Sequence, residues 1–585
     1  MCFVAYGTRA AKWISRDMPT PHCAPSGFPP VACMGLIRFS LSETVAQRHS
    51  VTSVTHVSAP IVSKMLSISR LYEPCGRDCV SERHYLINPR LNAVQSGEER
   101  CLLSSSHRRS LLPQDSALTR CEMESLCQAL SKSTYKCHQV YKCLFYNPPY
   151  NNIEECSLYD FVQKIIDMSN STIFTPCQIG PITLRNRTIR SAAFENMAYG
   201  NKPSEDLLNY HRAVAKGGIG MTTVAYASVS RSGLSFDGQL WLREEIVPDL
   251  KVLTDAIHAE GAKASIQIGH CGNMTHRATC GQKPISPSGR FNLYSPTFTR
   301  KITKAEIYEL VEDFGKAVNL CREAGFDCIE VHAGHGYLIS QFLSPYTNHR
   351  KDEFGGSLEN RMRFMKLVIS KVMEEAKDDM AIVVKVNMYD GFRSGMKEEE
   401  CIKVAQELEK LGVHALVLTA GFVSKAPMHV MRGAMPLKTM AYYMDMKKFW
   451  WLKMGLYLGG RIVIPTVPYK DAYFYDTAMR FRQALKMPLI YVGGMSKKED
   501  MEKVLDSGFV AFQMARAVLH DPGFVNKLQS GEVTESGCKH SNYCIARMYT
   551  LEMKCHQCMQ DSELPEKVRK EIAKQEAAVE KSNKR

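Results

Sequence analysis

The chain has 585 residues, of which 45% are hydrophobic and 23% charged, and its formal net charge is +14. These values are typical of a globular protein with enough apolar surface for a large core. A membrane-spanning helix is not expected, because no apolar run reaches about 18 residues, and a nucleic-acid-binding face is not expected, because Lys and Arg are scattered along the chain.

Residues 1–171 form a Ser- and Cys-rich extension that holds 11 of the 21 cysteines. Neither a helical nor a strand periodicity runs through it, so we predict a largely disordered segment with one short helix near 158–168. The first 16 residues contain Arg9, Lys12 and Arg16 but no acid, a weak likeness to organellar transit peptides. We predict a cytoplasmic protein, and this likeness makes a mitochondrion or another organelle the alternative.

Short apolar runs alternate with amphipathic helical segments over residues 172–535. Strands are predicted at 187–193, 220–228, 264–269, 328–332, 381–387, 415–419, 489–493 and 510–514. Most of these runs are continuously apolar, as in parallel strands that are buried on both faces. Helices are predicted between them, for example at 306–324, 357–375 and 397–411. Eight β-then-α units predict an α/β fold of the (β/α)8 TIM-barrel type, with a doubly wound sheet as the alternative.

A long insertion interrupts this alternation at residues 423–487, between the sixth and seventh strands. It is too long for one helix and two loops, and it contains three aromatic pairs. The insertion begins at the face of the barrel where active sites lie. It is predicted to be either a packed subdomain or a lid over the active site, and the two interpretations are compatible.

Two histidines and a tyrosine follow the fourth strand within six residues. In a (β/α)8 barrel the catalytic groups sit at the C-terminal ends of the strands, and His332, His335 and Tyr337 occupy such a position. Two imidazoles can donate hydrogen bonds to one substrate oxygen, and a phenol can supply a proton. The alternatives are a metal-binding histidine pair, for which a third ligand is lacking at a nearby strand end, and purely structural histidines.

The last two strands end in residues that suit a phosphate group. The seventh strand ends at Gly493 and Gly494, and the eighth ends at Ala515 and Arg516. Glycines allow the backbone to approach a ligand closely, and the loops after the last two strands of such barrels commonly hold a phosphate. Arg516 would add a charge-assisted hydrogen bond.

Several ordered motifs give the barrel region a family resemblance. They are FDCIEVH at 326–332, QFLSP at 341–345, TNHR at 347–350, DEFGGSLENR at 352–361 and LRNR at 184–187. In these motifs the chain resembles the Old Yellow Enzyme, or NADH:flavin oxidoreductase, family. The resemblance covers about residues 172–535 and leaves the N-terminal extension unexplained.

The resemblance implies a flavin mononucleotide (FMN) at the mouth of the barrel. Backbone around Ala192 and Ala193 would contact the flavin ring, and Gln267 would bond its pyrimidine edge. Lys385 would place a cation near N1 and the C2 carbonyl, where it stabilises the reduced, anionic flavin. The glycine pair and Arg516 would hold the phosphate.

The resemblance also implies a reaction. His332 and His335 would bind the carbonyl oxygen of a small-molecule enone, and Tyr337 would protonate its α carbon as hydride from flavin N5 reaches the β carbon. NADH or NADPH would serve as a transient reductant, because a dinucleotide-binding fingerprint is absent from the sequence. The alternatives are a flavin-dependent dehydrogenase or demethylase of the same fold, and a non-catalytic flavin-binding protein. A homo-oligomer is compatible with the sequence.

Three positions depart from the family pattern. Phe194 stands where many relatives have Thr or Cys beside the flavin C4 carbonyl, and its side chain cannot form a hydrogen bond there. Asn273 replaces a common Arg, and Lys385, where relatives often have Arg, offers a point charge without a planar fork. These departures leave the redox potential of the flavin open.

Four cysteines cluster in the C-terminal segment, residues 536–585: Cys538, Cys544, Cys555 and Cys558. Larger relatives, similar to 2,4-dienoyl-CoA reductase, bind a [4Fe-4S] cluster just after the barrel. Ser541 stands where a cysteine ligand is expected, so we interpret the segment as a degenerate cluster site and do not expect an intact cluster or a zinc ion. The segment ends in a predicted helix rich in Glu and Lys.

Overall fold

The computed structural model describes residues 171–583, apart from 293–296, 444–445 and 549. The extension up to residue 170, with the helix predicted at 158–168, lies outside the described residues. None of the described helices is long and apolar enough to cross a membrane.

Eight parallel strands close into a barrel in which the order around the barrel follows the order along the chain. They are Thr188–Arg190 (β1), Met221–Ser228 (β2), Lys263–Gly269 (β3), Cys328–His332 (β4), Ala381–Asn387 (β5), Ala415–Thr419 (β6), Leu489–Val492 (β7) and Ala511–Met514 (β8). The predicted (β/α)8 fold is confirmed, and β4, β5 and β6 match the predicted strands residue for residue. The first strand was predicted too long, because residues 191–193 leave the barrel sheet and turn towards its mouth.

A helix follows each strand on the outside of the barrel. These helices are Glu205–Lys216 (α1), Val247–Ala259 (α2), Lys304–Glu323 (α3), Leu358–Ala376 (α4), Glu398–Lys410 (α5), Tyr475–Ala484 (α6), Lys498–Asp506 (α7) and Phe524–Gln529 (α8). The longest, α3, begins at a capping box in which the Thr303 side chain accepts a hydrogen bond from the Glu306 backbone and Glu306 bonds back to Thr303. Its buried apolar residues recur at helical spacing and face the barrel.

The interior of the barrel changes from apolar to polar along its axis. Alternate residues of a strand share one face, so Cys328, Glu330 and His332 of β4 all point inwards. At the N-terminal end, Cys328 packs with residues of a two-stranded hairpin, Cys177–Ile179 and Ile182–Leu184, which plugs the barrel. Apolar contacts therefore close one end, and the polar groups gather at the other.

The insertion after β6 folds as helices packed on the C-terminal segment. It contains the helices Pro427–Met431, Leu437–Tyr443 and Met446–Val463, and the C-terminal segment contains Tyr543–Arg547 and Glu566–Asn583. Met435, Leu437 and Met440 share an apolar cluster with Ala546. The buried Glu571 carboxylate accepts hydrogen bonds from the backbone of Lys438 and Thr439, where it caps the helix Leu437–Tyr443 from a distant part of the chain.

Candidate functional site

One cavity opens at the C-terminal end of the barrel, and every candidate residue of the predicted flavin site lines it. These residues are His332, His335, Tyr337, Ala192, Ala193, Gln267, Lys385, Gly493, Gly494, Ala515 and Arg516. The insertion contributes Val423, Val430 and Tyr473 to the wall, and the C-terminal segment contributes Cys544 and Met553 among others. The structure therefore brings residues that are far apart in the sequence together at one end of the barrel.

The two histidines and the tyrosine after β4 form a compact group on one side of the cavity. The ring of His332 lies 5.1 Å from that of His335 and 4.4 Å from that of Tyr337, measured between centroids. His335 has a φ of 58°, a left-handed conformation that bends the chain back over the strand end. Its Nε2 lies 2.8 Å from the Thr419 hydroxyl, which fixes the ring.

Both imidazoles are held in the neutral form. Burial, together with the neighbouring Lys385 charge, lowers the pKa of His335 to about 3. The pKa of His332 is lowered well below its usual value, mainly by burial and further by the neighbouring His335 and Lys385. Nδ1 of His332 is buried and has no hydrogen-bond partner among the described residues. A buried polar atom without a hydrogen bond destabilises the folded protein, unless a ligand supplies the missing bond.

Lys385 belongs to a buried polar network beneath the cavity. Its Nζ lies 2.7 Å from Glu330 Oε1 and donates a hydrogen bond to Ser191. The amides of Gln267 and Gln513 donate to the same carboxylate, over 2.6 and 2.7 Å. Glu330 thus neutralises Lys385 and orients two amides, one of which, Gln267, is a predicted flavin ligand. Sequence reasoning missed Glu330, although a charged residue inside a buried strand was a usable signal.

Arg516 lies at the far end of the cavity beside the glycine pair. Its Nη1 donates to Asn542 Oδ1 over 2.8 Å, and the guanidinium lies 5.5 Å from the centre of the Tyr469 ring. Within the described ranges Arg516 has no carboxylate at ion-pair distance. A partly buried cation without a carboxylate partner at the cavity wall suits an anionic ligand, because an uncompensated charge that is partly removed from water is unfavourable.

The glycine pair has a backbone that other residues rarely adopt. Gly493 and Gly494 have φ values of 138° and 76°. A Cβ atom on Gly494 would lie 2.8 Å from the backbone nitrogen of Ala472, so the insertion packs directly against this turn. The position is therefore restricted to glycine by conformation and by space. Together with Arg516, this turn fits the phosphate of a flavin nucleotide.

Part of the cavity wall was not predicted from the sequence. Tyr226 on β2 lies 5.0 Å from the Tyr337 ring, edge to face, and its hydroxyl is engaged with Ser235 and the Gly233 carbonyl. His540 and Met548 of the C-terminal segment also line the cavity. Tyr226 stands near the C-terminal end of a predicted strand, which was a usable signal. No local pattern distinguishes His540 and Met548, which reach the site only through long-range packing.

The departures from the family pattern have clear surroundings. Phe194 lines the cavity and stacks on Phe236, with ring centroids 4.6 Å apart. Asn273 lies outside this cavity and borders a second one, where its backbone N–H donates to Gln341. Phe194 thus adds an apolar surface to the site, whereas Asn273 does not contact it.

In the described part of the chain the four C-terminal cysteines do not form a group of thiols within 4.8 Å of one another, although Cys544 and Cys555 pack in the same apolar cluster. Cys544 lines the cavity, and the Cys538 thiol lies 3.9 Å from the His540 ring nitrogen Nδ1. Cys555 and Cys558 lie instead beside His520. Ser541, at the position expected for a cluster ligand, lies 3.4 Å from a ring nitrogen of His556. Ser541 thus occupies the place of one expected cysteine ligand, and the fourth cysteine of the segment, Cys558, lies with His520.

Comparisons with known proteins find relatives in sequence and in structure for the barrel region. The model of the NADH:flavin oxidoreductase / NADH oxidase family matches residues 172–535. The 4,4'-dithiodibutanoate disulfide reductase of Rhodococcus erythropolis is 40% identical over 380 residues, 65% of this chain and 93% of that protein. The NADH oxidase of Thermoanaerobacter brockii is 30% identical over 368 residues, but this chain covers 51% of its length. A structure of 2-naphthoyl-CoA reductase is similar with a TM-score of 0.56 and 25% identity, covering 68% of this chain and 58% of that one.

Proposed function

Since the chain belongs to the NADH:flavin oxidoreductase / NADH oxidase family, and is therefore an oxidoreductase that uses a flavin, we propose that it reduces an activated alkene, such as an enone, with electrons from NADH or NADPH. The observation that carries the proposal is the group of two neutral imidazoles and one phenol at the cavity, formed by His332, His335 and Tyr337. An enone needs both a hydrogen-bonded oxygen and a proton donor.

The residues at the two ends of the cavity would hold FMN. Gln267 and Lys385 would bond the pyrimidine edge of the ring, backbone at Ala192 and Ala193 would contact its face, and Arg516 with the glycine turn would bind the phosphate. Bound FMN would accept hydride from NADH or NADPH and supply it to the alkene. The Glu330 network would keep Gln267 and Lys385 in position.

The residues of this chain would handle the oxygen and the proton of the substrate. Neutral His332 and His335, which both line the cavity, would each donate one hydrogen bond to the carbonyl oxygen. Such bonds strengthen as negative charge develops on the oxygen, which draws electron density away from the double bond. Tyr337 would then donate its proton to the α carbon, giving a saturated ketone.

A rate assay tests the proposal. NADH and NADPH oxidation would be followed anaerobically with 2-cyclohexenone, and we expect turnover with a saturated product. Tyr337→Phe should lower the rate of alkene reduction by about 10²- to 10⁴-fold, the usual contribution of a general acid, while flavin reduction by NAD(P)H stays close to normal. Tyr473→Phe is the matched control, because this hydroxyl lines the same cavity but donates to the Val430 carbonyl.

The outcomes separate the alternatives. Rapid reduction of the flavin by NAD(P)H with no enone turnover would contradict alkene reduction. Reduction of the flavin by a secondary or tertiary amine, but by neither nicotinamide, would favour the dehydrogenase or demethylase alternative. Equal losses in Tyr337→Phe and Tyr473→Phe would contradict the role of Tyr337.

A small organic disulfide is a second candidate substrate. The observation that favours it is the 40% identity to a disulfide reductase, which extends over 93% of that relative. Two electrons and two protons convert one disulfide into two thiols, and Tyr337 is placed to protonate a leaving thiolate. The same anaerobic assay with 4,4'-dithiodibutanoate, in which free thiols are counted, would show about two thiols for each NAD(P)H if this candidate is correct.

A further inference from the structure

Three metal-ligand side chains converge outside the flavin cavity, where the C-terminal segment meets the end of the barrel. His520 ends the short helix that follows β8, and Cys555 and Cys558 belong to the C-terminal segment. The ligand atoms of all three lie within 4.8 Å of one another, and both thiols are free. Cys555 is buried and Cys558 is exposed, so the group reaches from the interior to the surface.

We propose that His520, Cys555 and Cys558 bind a zinc ion. The spacing Cys-x-x-Cys is typical of zinc ligands, and histidine is the usual nitrogen partner. Zinc bonds of about 2.3 Å to sulfur and 2.0–2.1 Å to nitrogen in a tetrahedral arrangement set the two ligand atoms roughly 3.5 Å apart. The Cys555 Sγ to His520 Nδ1 distance is 3.6 Å. These two atoms therefore already lie at the separation that a shared zinc ion requires.

The His520 ring is oriented for this role by its surroundings. Its Nε2 side faces Gly537, where a Cβ atom would lie only 2.5 Å from Nε2. Glycine at 537 thus makes room for the ring in the orientation that turns Nδ1 towards Cys555. The thiol of Cys558 lies 3.4 Å from the His520 carbonyl oxygen, which holds the second cysteine beside the same residue.

The other candidate ligands nearby are engaged elsewhere. His556, between the two cysteines, lies 2.9 Å from Glu576 through Nε2 and 3.4 Å from the Ser541 hydroxyl through Nδ1. Cys538 lies beside His540, and Cys544 lines the flavin cavity and packs in one apolar cluster with Cys555. Neither belongs to the group that converges on His520. The site therefore offers three protein ligands and leaves the fourth position to water or a small thiol.

The ligand set selects the metal by its chemistry. Two thiolates and one imidazole in a tetrahedral arrangement suit zinc, whereas an iron–sulfur cluster commonly takes four cysteines. Binding releases the two thiol protons, so two thiolates balance the charge of Zn²⁺. The exposed Cys558 gives the ion a path into the site.

A zinc ion here would fasten one wall of the flavin cavity to the barrel. Met553, two residues before Cys555, lines the cavity, and so do Arg516 and Leu519 on the helix that ends at His520. The ion would join these two segments directly. We expect the bound ion to raise the stability of the C-terminal segment and to improve flavin retention.

Metal analysis of the full-length protein tests the proposal. We expect about one zinc per chain by elemental analysis, and in Cys558→Ser less than about 0.1, because loss of one of three ligands sharply weakens binding. Cys558 is exposed, so this variant should fold. His520→Gln is the second variant and should give the same loss. Cys538→Ser is the matched control, since it removes a thiol of the same segment that lies outside the proposed site.

Cobalt provides a readout that is independent of activity. Co²⁺ added to metal-free protein should produce tetrahedral bands at the red end of the spectrum, where oxidised flavin does not absorb, and Cys558→Ser should abolish them. Less than about 0.1 zinc in the wild type even after zinc is added and the excess removed would overturn the proposal. Iron with inorganic sulfide, or zinc that is lost from Cys538→Ser and kept in Cys558→Ser, would overturn it as well.

Discussion

Removal of the Arg516 charge should separate the binding of FMN from that of riboflavin. Arg516 is partly buried, is fixed by Asn542 and Tyr469, and has no carboxylate partner in the part of the chain that the structure describes. Arg516→Met keeps the length of the side chain but removes its charge and its donors. If the phosphate binds here, the variant should lose affinity for FMN, which has the phosphate, and not for riboflavin, which lacks it.

The magnitude follows from the contacts that the arginine can make. Hydrogen bonds to charged groups contribute about 1.5–3 kcal/mol each, and one donor, Nη1, is already used by Asn542. One or two bonds to a phosphate therefore correspond to about 2–4 kcal/mol, or roughly a 30- to 1000-fold increase in the Kd for FMN. Arg516→Lys should lie in between, because it restores the charge without the planar fork.

Titration of apoprotein with each flavin, followed by flavin fluorescence, measures both dissociation constants. The reasoning predicts that wild-type protein prefers FMN over riboflavin and that Arg516→Met loses this preference. Equal weakening of both flavins would mean that the substitution damages the cavity in general. Unchanged FMN affinity in Arg516→Met would refute the phosphate assignment.

Three further predictions concern the same cavity. Glu330→Gln removes the charge that neutralises Lys385. Lys385 would bond both Glu330 and the flavin edge, so the two negative charges would lie at most about 5–6 Å apart, and at an effective dielectric constant of about 20 the substitution changes the energy of the reduced flavin by about 3 kcal/mol. A redox titration should therefore show a two-electron flavin potential about 65 mV more positive, and an unchanged or lower potential would contradict the network. His335 has a folded-state pKa of about 3, below its unfolded value, so the unfolded state binds the extra proton as the pH falls. His335 should therefore cost about 1.4 kcal/mol of stability for each pH unit between about 6.5 and this folded-state value. The melting temperature of His335→Asn should fall less steeply towards acid pH than that of the wild type, and parallel curves would contradict a neutral His335. Gly494 has a left-handed φ, and in Gly494→Ala the added Cβ would lie 2.8 Å from the Ala472 backbone. We expect a loss of about 1–3 kcal/mol in stability, measured by thermal melting, and a lower flavin content, measured by absorbance. A variant with wild-type values for both would show that the turn tolerates a side chain.

The barrel could be predicted from the sequence because its strands are locally encoded. A continuous apolar run such as 381–387 is typical of a strand that is buried on both faces, and β5 has those bounds. The residues that follow such a run then lie at the mouth of the barrel, which is why the sequence alone indicates His335, Tyr337 and Arg516 as site residues. The error at β1 has the same origin, since an apolar run does not reveal where a chain leaves the sheet.

Contacts between distant segments could not be predicted in this way. Glu330 is encoded within β4, but its partners Gln267 and Gln513 lie on β3 and β8 and meet it only when the barrel closes. His520 and Cys555 are separated by 35 positions and meet only because the C-terminal segment returns to the barrel end. The cysteine spacing alone predicts a degenerate cluster site, because the sequence does not show that His520, outside the C-terminal segment, lies beside Cys555.

Asn542 connects the three parts of the molecule that enclose the cavity. Its side-chain oxygen accepts a hydrogen bond from Arg516 at the barrel end, and its nitrogen donates to the Arg432 carbonyl of the insertion over 2.7 Å. Asn542 itself belongs to the C-terminal segment and has a left-handed φ of 58°. A ligand that fixes Arg516 would therefore also fix the hydrogen bonds that hold the insertion and the C-terminal segment together. Cofactor binding and the order of the substrate-facing walls are thus linked through one side chain.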